Sequence, residues 1–307
     1  MPDVQSLDQP ARREHQMVAV RLCDPQISAR SRNHIFHVRR VERVIGYMSS
    51  CLEEPLTNEQ MAAIACLSPC HFNRVFRNVT GIPPIQFHYA LRLQRAKHLL
   101  IATERLITEI CFDVGYNSLG TFVTRFNRLV GLPPNAFRRL ARRLATVPLS
   151  DLNPYLRQAE GIRRRGPAIT GIVEPPFSCD GLTFTALFPR AIPEGMPVAC
   201  TFGSTGGAFV LPTPGNGEWR IMSVSVPWST TGAEMLTLDG LARGRSGPIT
   251  VKDHRWTGDS TIALAAPSLL DPPILAALPI FINRMVAAMS RPAERPSTSR
   301  WQHAAIA

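Results

Sequence analysis

The sequence predicts an α + β multidomain chain, with a helical half followed by an all-β, sandwich-like half. Length and composition allow it: 307 residues with 45% hydrophobic and 19% charged side chains suffice for two buried cores. Charge divides the chain, since residues 34–146 hold 15 Lys/Arg against 7 Asp/Glu, whereas residues 167–290 hold 7 against 9. Hydrophobic period divides it at the same place. Val41, Val44, Ile45 and Met48, then Phe87, Leu91, Leu99 and Leu100, fall at helical spacing. Residues 182–188, 208–211, 219–226 and 249–251 instead alternate or are β-branched, and Gly/Pro clusters separate them.

The net charge of +11 points to a polyanionic partner, with nucleic acid and an anionic membrane surface as the abundant choices. The longest apolar runs, such as 262–266, fall far short of the ~20 residues that a spanning helix needs, so no membrane role is expected. Met1-Pro2-Asp3 opens no secretory signal. Seven widely spaced cysteines at 23, 51, 66, 70, 111, 179 and 200 suit reduced thiols in a cytoplasm. Cys66, Cys70 and His71 lack the further ligands of a zinc site, and neither a metal nor a cofactor is expected. Residues 1–34 and 291–307 read as tails, 35–146 as the helical domain, 147–167 as a linker and 168–290 as the β domain.

The helical half contains a duplication at a spacing of 50 residues. Eight of the 31 positions from Thr57 to Phe87 are identical to the residue 50 further on: Glu59/Glu109, Ser68/Ser118, Phe72/Phe122, Phe76/Phe126, Gly81/Gly131, Pro83/Pro133, Pro84/Pro134 and Phe87/Phe137. In the first copy Thr57 and Gln60 form a capping box over a helix at 58–65. Ser68 caps a second helix that has Pro69 at its first position and runs to about Val79. The second copy places helices at about 107–114 and 119–130, the latter capped by Ser118. Gly81 and Gly131 end the second helices in the left-handed conformation, and the Pro-Pro pairs prevent continuation. Two copies of helix, tight turn and helix, each basic on its second helix, predict a double helix-turn-helix that reads DNA in the major groove.

Residues 67–77, 80–84, Arg92, Leu93, Ala96, Leu99, Leu100, 107–110, 114–118, Phe122, Phe126, 131–134, Phe137 and Arg138 resemble the DNA-binding domain of the AraC/XylS family of transcription regulators. That resemblance covers residues 38–143. It implies seven helices, with two helix-turn-helix units joined by one long helix near 85–102 and recognition helices ~34 Å apart on one face of the duplex. It further implies base contacts from Cys70, Asn73 and Arg74 in the first unit. In the second unit the corresponding positions are Leu119, Gly120, Val123 and Thr124, and here the sequence departs from the family's more polar pattern. Arg74 suits a guanine edge, Asn73 an adenine, and Leu119 and Val123 thymine methyls. Ser68, Arg77, Asn78, Ser118, Arg125, Asn127 and Arg128 fit phosphate. Arg138, Arg139, Arg142 and Arg143 add a basic stretch. Pro69-Cys70-His71 also resembles the Pro-Cys-His-Arg site of DNA alkyltransferases, but Phe72 stands in place of Arg and the second copy has no cysteine.

The cadence of residues 173–228 resembles the prealbumin-like or carboxypeptidase-regulatory β-sandwich. The likeness is one of fold, which carries no activity. Residues 203–207 read as a turn, Asp253 and His254 as loop residues, and 271–285 as a terminal helix kinked near Pro279. No nucleophile elbow or metalloprotease motif accompanies them. The expected function is a sequence-specific, double-stranded-DNA-binding transcription regulator, not an enzyme, located in the cytoplasm with the nucleoid. Its β half would bind a small effector, assemble the protein or contact RNA polymerase. The alternative is an enzyme or ligand-binding protein that acts through the β half and is tethered to DNA by the helical half.

Overall fold

A computed structural model describes residues 29–152, 166–175 and 180–289. The expected tail at 291–307, most of the one at 1–34 and most of the 147–167 linker lie outside the described residues. Among the described residues seven helices come first: α1 (Ala29–Ser50), α2 (Asn58–Ile64), α3 (Pro69–Thr80), α4 (Pro84–Ala102), α5 (Ile107–Asp113), α6 (Leu119–Val130) and α7 (Pro134–Leu144). Helix α1 begins at Ala29, inside the stretch read as tail, because its apolar stripe of Val41, Val44, Ile45 and Met48 is wholly buried and the helix extends N-terminally from that anchor.

The chain divides into two compact units, Met1–Cys51 with Pro55–His88, and Leu52–Glu54 with Tyr89–Ala307. This division differs from the one expected at residue 146. It falls inside α4 and places the second helix-turn-helix with the β region.

In the first unit the Thr57/Gln60 capping box forms as expected. Ser68 sits at the N-cap of α3, but its side chain makes no capping bond; Pro69 at the first helical position already removes one of the amides that would need a partner. Gly81 ends the helix at φ 87°. Phe72, Phe76 and Phe87 form an edge-to-face series with ring centroids 5.5 and 5.6 Å apart.

The second unit repeats the device. Ser118 Oγ accepts from the Thr121 amide at 3.4 Å, Gly131 ends α6 at φ 93°, and Phe122, Phe126 and Phe137 stack at 5.7 and 5.6 Å. Its turn depends on Gly115, which holds φ 80°. There the Gly115 carbonyl accepts from Arg92 Nη1 at 2.8 Å, while Arg92 Nη2 donates to the Glu54 carbonyl at 2.7 Å. A Cβ on Gly115 would lie 2.4 Å from the Leu52 carbonyl oxygen and 2.6 Å from the Arg92 guanidinium carbon, so only glycine fits.

The β region of the second unit is a sandwich with a helical margin. Strands β1 (Ala168–Glu174), β2 (Gly181–Phe188), β3 (Glu194–Gly195), β4 (Ala199–Ser204), β5 (Ala208–Pro212) and β6 (Gly217–Pro227) precede the short helix α8 (Gly232–Met235). Strands β7 (Arg243–Lys252), β8 (Arg255–Thr257), β9 (Thr261–Ala263) and β10 (Leu275–Ala276) lead to α9 (Leu278–Met289). One sheet has the order β5-β1-β9, the other β4-β2-β6-β7-β8, and β10 pairs with β3. Ile169, Val173, Phe209, Leu211 and Ile262 from the first sheet meet Leu187, Ile221, Ile249 and Val251 from the second in one core. Beside that core runs a seam of buried hydroxyls, with Thr185 bonded to Ser223 at 2.8 Å and Thr205 to Ser225 at 3.0 Å. Asp253 and His254 are the two central residues of the β7–β8 hairpin, both at positive φ as a type I′ turn requires.

Two expectations are corrected. Pro279 falls in the first turn of α9, where a missing amide costs nothing, so no kink forms and residues 271–277 carry β10 instead. The start of the 147–167 stretch is packed and not a free linker. The Gly232 amide donates to the Val147 carbonyl at 2.8 Å, the Leu149 amide to the Thr230 carbonyl at 2.9 Å, and Leu149 and Leu152 are fully buried.

The β region also grips the helices of its own unit. Lys97 on α4 is buried, and its Nζ donates to the carbonyls of Thr237 at 2.9 Å and Ile274 at 3.0 Å. Gln94 and His98, on the same helix, both reach the Asp239 carboxylate. At the end of α6, a Cβ on Gly131 would fall 2.6 Å from Ala277 Cβ and 2.8 Å from Ile280, so the glycine cap is pressed against α9 and the residue before it.

Two consequences are measurable. Gly115→Ala should destabilise the second unit by about 3 kcal/mol or more, through positive-φ strain, a clash with the Leu52 carbonyl and displacement of the Arg92 guanidinium, as read by urea denaturation. Burial pushes Lys97 down to about 8 from 10.5, against the pull of Asp239 and with a further push from Arg243. The folded chain therefore releases this proton at lower pH than the unfolded one, and stability from this group should rise as pH climbs from about 8 to about 10.5. Relative to a Lys97→Met variant, the native chain should gain stability across that window; a constant difference would contradict the burial of a charged amine.

Candidate nucleic-acid interface

Helices α3 and α6 each have 12 residues and begin and end at equivalent places in the duplication. Each buries its aromatic face, with Phe72, Val75 and Phe76 inside in the first, and Phe122, Phe126 and Leu129 in the second. The opposite face of each helix therefore points to solvent. On α3 this face shows Cys70, Arg74, Arg77 and Asn78, all exposed, with Ser68 exposed at the cap. Arg74 and Arg77 form no ion pair among the described residues.

Asn73 lies half-buried beside them. Its Nδ2 donates to Asn58 Oδ1 at 2.9 Å and to the Pro69 carbonyl at 3.0 Å. A bidentate grip on adenine needs that amide as donor, so it would require breaking one of these bonds. In this arrangement Asn73 braces α3 against the start of α2. His71 packs its ring edge-on to His37 at 5.7 Å, and burial together with His71 and Arg40 holds His37 below its ordinary value. The Cys70 thiol is free and exposed. Among the described residues no group of three or more His, Cys, Asp or Glu side chains could hold a metal ion.

On α6 the exposed face is formed by Leu119, Gly120, Thr124, Asn127 and Arg128, with Val123 half-buried and Ser118 exposed at the cap. Nothing but Ser118 Oγ, at 3.8 Å, approaches the place of a Cβ at Gly120, so this tip is open to close approach. It is apolar where α3 is charged.

Arg125, expected on phosphate, lies elsewhere. The duplication sets it opposite Val75, which is core, and the guanidinium turns inward accordingly. It sits over the Tyr89 ring at 4.2 Å and beside Tyr116 at 5.8 Å. Burial opposes its charge, but Tyr116 and Tyr89 outweigh burial and hold Arg125 above its ordinary value. The same burial pushes the Tyr116 phenol up. The basic stretch on α7 divides in the same way. Arg138 Nη2 donates to the Arg105 carbonyl at 2.6 Å and Arg142 pairs with Glu104, whereas Arg139 and Arg143 are exposed.

Sequence reasoning placed Arg92 in the family resemblance but gave it no role, and it passed over Lys97. Both are long cations on the inward side of α4, and the signal for Lys97 was its place between Leu93 and Leu100 on the buried stripe.

The family model described as a helix-turn-helix domain matches residues 61–140. The bifunctional transcriptional activator/DNA repair enzyme AdaA of Bacillus subtilis (strain 168) is 31% identical over 102 residues, which are 33% of this chain and 48% of that protein. The HTH-type transcriptional regulator GlxA of Rhizobium meliloti (strain 1021) is 33% identical over 96 residues, 31% of this chain and 30% of its own. Among solved structures, the DNA-binding domain of AdpA in complex with a target DNA is 29% identical, with a TM-score of 0.33, over 34% of this chain and 94% of that one. The chain spans less than half the length of these two curated relatives. All three likenesses are confined to about a third of the chain, and residues 61–140 are similar to a helix-turn-helix domain.

Proposed function

We propose that the protein is a sequence-specific transcription regulator that inserts α3 and α6 into successive major grooves of double-stranded DNA. The observation that carries this reading is the pair of equivalent 12-residue helices, each anchored by a phenylalanine triad on one face and bare on the other. The family match and the regulators sharing this segment support it.

In this reading the two helices read differently. Arg74 makes the bidentate guanine contact, with Cys70 beside it and Asn73 contributing its remaining acceptor. Leu119, Val123 and Thr124 press on base edges and thymine methyls, and Gly120 permits the approach. Ser68, Arg77, Asn78, Ser118, Asn127 and Arg128 hold phosphate and fix the register. The protein is not an enzyme in this reading, acts in the cytoplasm on the nucleoid, and takes its control from the β region through a small effector or RNA polymerase. Among the described residues no helix is long and apolar enough to cross a membrane.

Site selection from random DNA with the full chain should return a site of about 20 base pairs, two turns of the duplex. Arg74→Ala should relax one base position by about 1–3 kcal/mol, whereas Arg77→Ala and Arg128→Ala should weaken all sequences alike and lower the salt slope by about 1 each. Arg125→Ala should leave that slope unchanged and lower thermal stability instead. Selection that enriches no sequence would replace this reading with non-specific DNA coating.

A further inference from the structure

The face of the five-stranded sheet turned away from the sandwich core holds a cavity of about 80 Å³. Phe184 on β2, Val224 on β6 and Arg243 on β7 are register partners across three strands, and Met222 follows one step along β6. With Phe188 these side chains make an apolar wall beside the Arg243 guanidinium, and Arg245, the register partner of Met222, also lines the cavity. Asp271 lines the same cavity.

Of the charged residues that line the cavity, Arg243 and Asp271 do not pair with each other. Arg243 Nε reaches the Leu241 carbonyl at 3.5 Å, and among the described residues no carboxylate forms an ion pair with it. Asp271 accepts through Oδ2 from the Ser268 amide at 2.8 Å. Burial holds Arg243 below its ordinary value, opposed by Asp271 and Asp239. A half-buried cation in apolar surroundings costs free energy unless an anion completes it. A bare carboxylate ligand would satisfy Arg243 and be repelled by Asp271. A zwitterion satisfies both.

We propose that this cavity binds a small apolar α-amino acid, its carboxylate on Arg243, its ammonium on Asp271 and its side chain against Phe184, Phe188, Met222 and Val224. The size agrees: where about 10–15 Å³ holds one water, the cavity admits roughly half a dozen heavy atoms, with the remainder of the ligand at its open side. The other wall links the site to the helices. Pro193, Ile274 and Ala276 line the cavity, and Ala276 is paired with Gly195 in the β3–β10 ribbon on which α6 packs. The Ile274 carbonyl is one of the two that hold Lys97. Occupancy of the cavity therefore bears on the seat of the second recognition helix. Only this last consequence rests on the regulator reading; binding itself does not.

Calorimetric titration of the full, DNA-free chain with L-valine and L-leucine tests the site. At least one should bind with a dissociation constant below about 1 mM, and isovalerate and isobutylamine, each lacking one charge, should bind at least about tenfold more weakly. Arg243→Met and Asp271→Asn should each cost about tenfold or more. Should Arg243→Met fail to fold, Val224→Phe, which fills the cavity with apolar atoms, should abolish binding while unfolding cooperatively. The assignment is overturned if neither amino acid binds, if isovalerate binds as well as valine, or if the variants bind as the native chain does. Bound amino acid should also shift the affinity for selected DNA by about 5- to 150-fold. A chain that binds valine but no DNA supports the cavity and removes the regulator reading alone.

Discussion

A single buried ammonium determines how the second unit is organised. Lys97 leaves water on α4 and finds two carbonyls of the β region, at Thr237 and Ile274. An amine in that place without acceptors would be severely destabilising, and two buried carbonyls without a donor nearly as much so. Each side therefore requires the other. Asp239 reinforces the requirement by taking Gln94 and His98 from the same helix. The second helix-turn-helix and the sandwich accordingly form one compact body, not two domains on a tether.

The two copies of the motif differ in how they use their cations. Val75 in the first copy is a plain core residue, whereas its equivalent Arg125 is a cation enclosed by Tyr89 and Tyr116. Arg138 and Arg142 are likewise spent on the loop between α4 and α5. Much of the positive charge of the second copy thus serves internal architecture. The first copy keeps Arg74 and Arg77 in solvent. One copy thus presents guanidinium donors to solvent, and the other an apolar tip.

The helical half was largely legible because its signals are local. The 50-residue duplication, the capping box at Thr57, the glycine stops and the phenylalanine spacing each follow from short-range geometry, and the helices appear within a residue or two of their expected ends. The failures share a cause. The fate of Arg125 depends on Tyr89, and that of Asn73 on Asn58, so both needed tertiary contacts that no single window contains. The duplication did hold the clue to Arg125, since its partner Val75 lies on the same helical face as Phe72 and Phe76. In the β half, alternation located β2, β5, β6 and β7, but the parallel pairing of β1 with β9 joins segments some ninety residues apart, and the role of Pro279 depended on where a helix began. The cavity was invisible for the same reason, because Arg243 and Asp271 meet only after the sheet forms.

The hydroxyl seam inside the sandwich has a consequence for how the sheet finds its alignment. Thr185 faces Ser223, and Thr183 faces Ser225, across β2 and β6. A slip of one residue would carry these oxygens to the opposite surface and bring Leu182, Phe184 and Ala186 into their places. Aliphatic packing tolerates approximate neighbours, whereas a buried alcohol accepts only a partner at bonding distance. The seam thus works as a lock-and-ward during assembly, rejecting misaligned sheets that greasy contacts alone would have let pass.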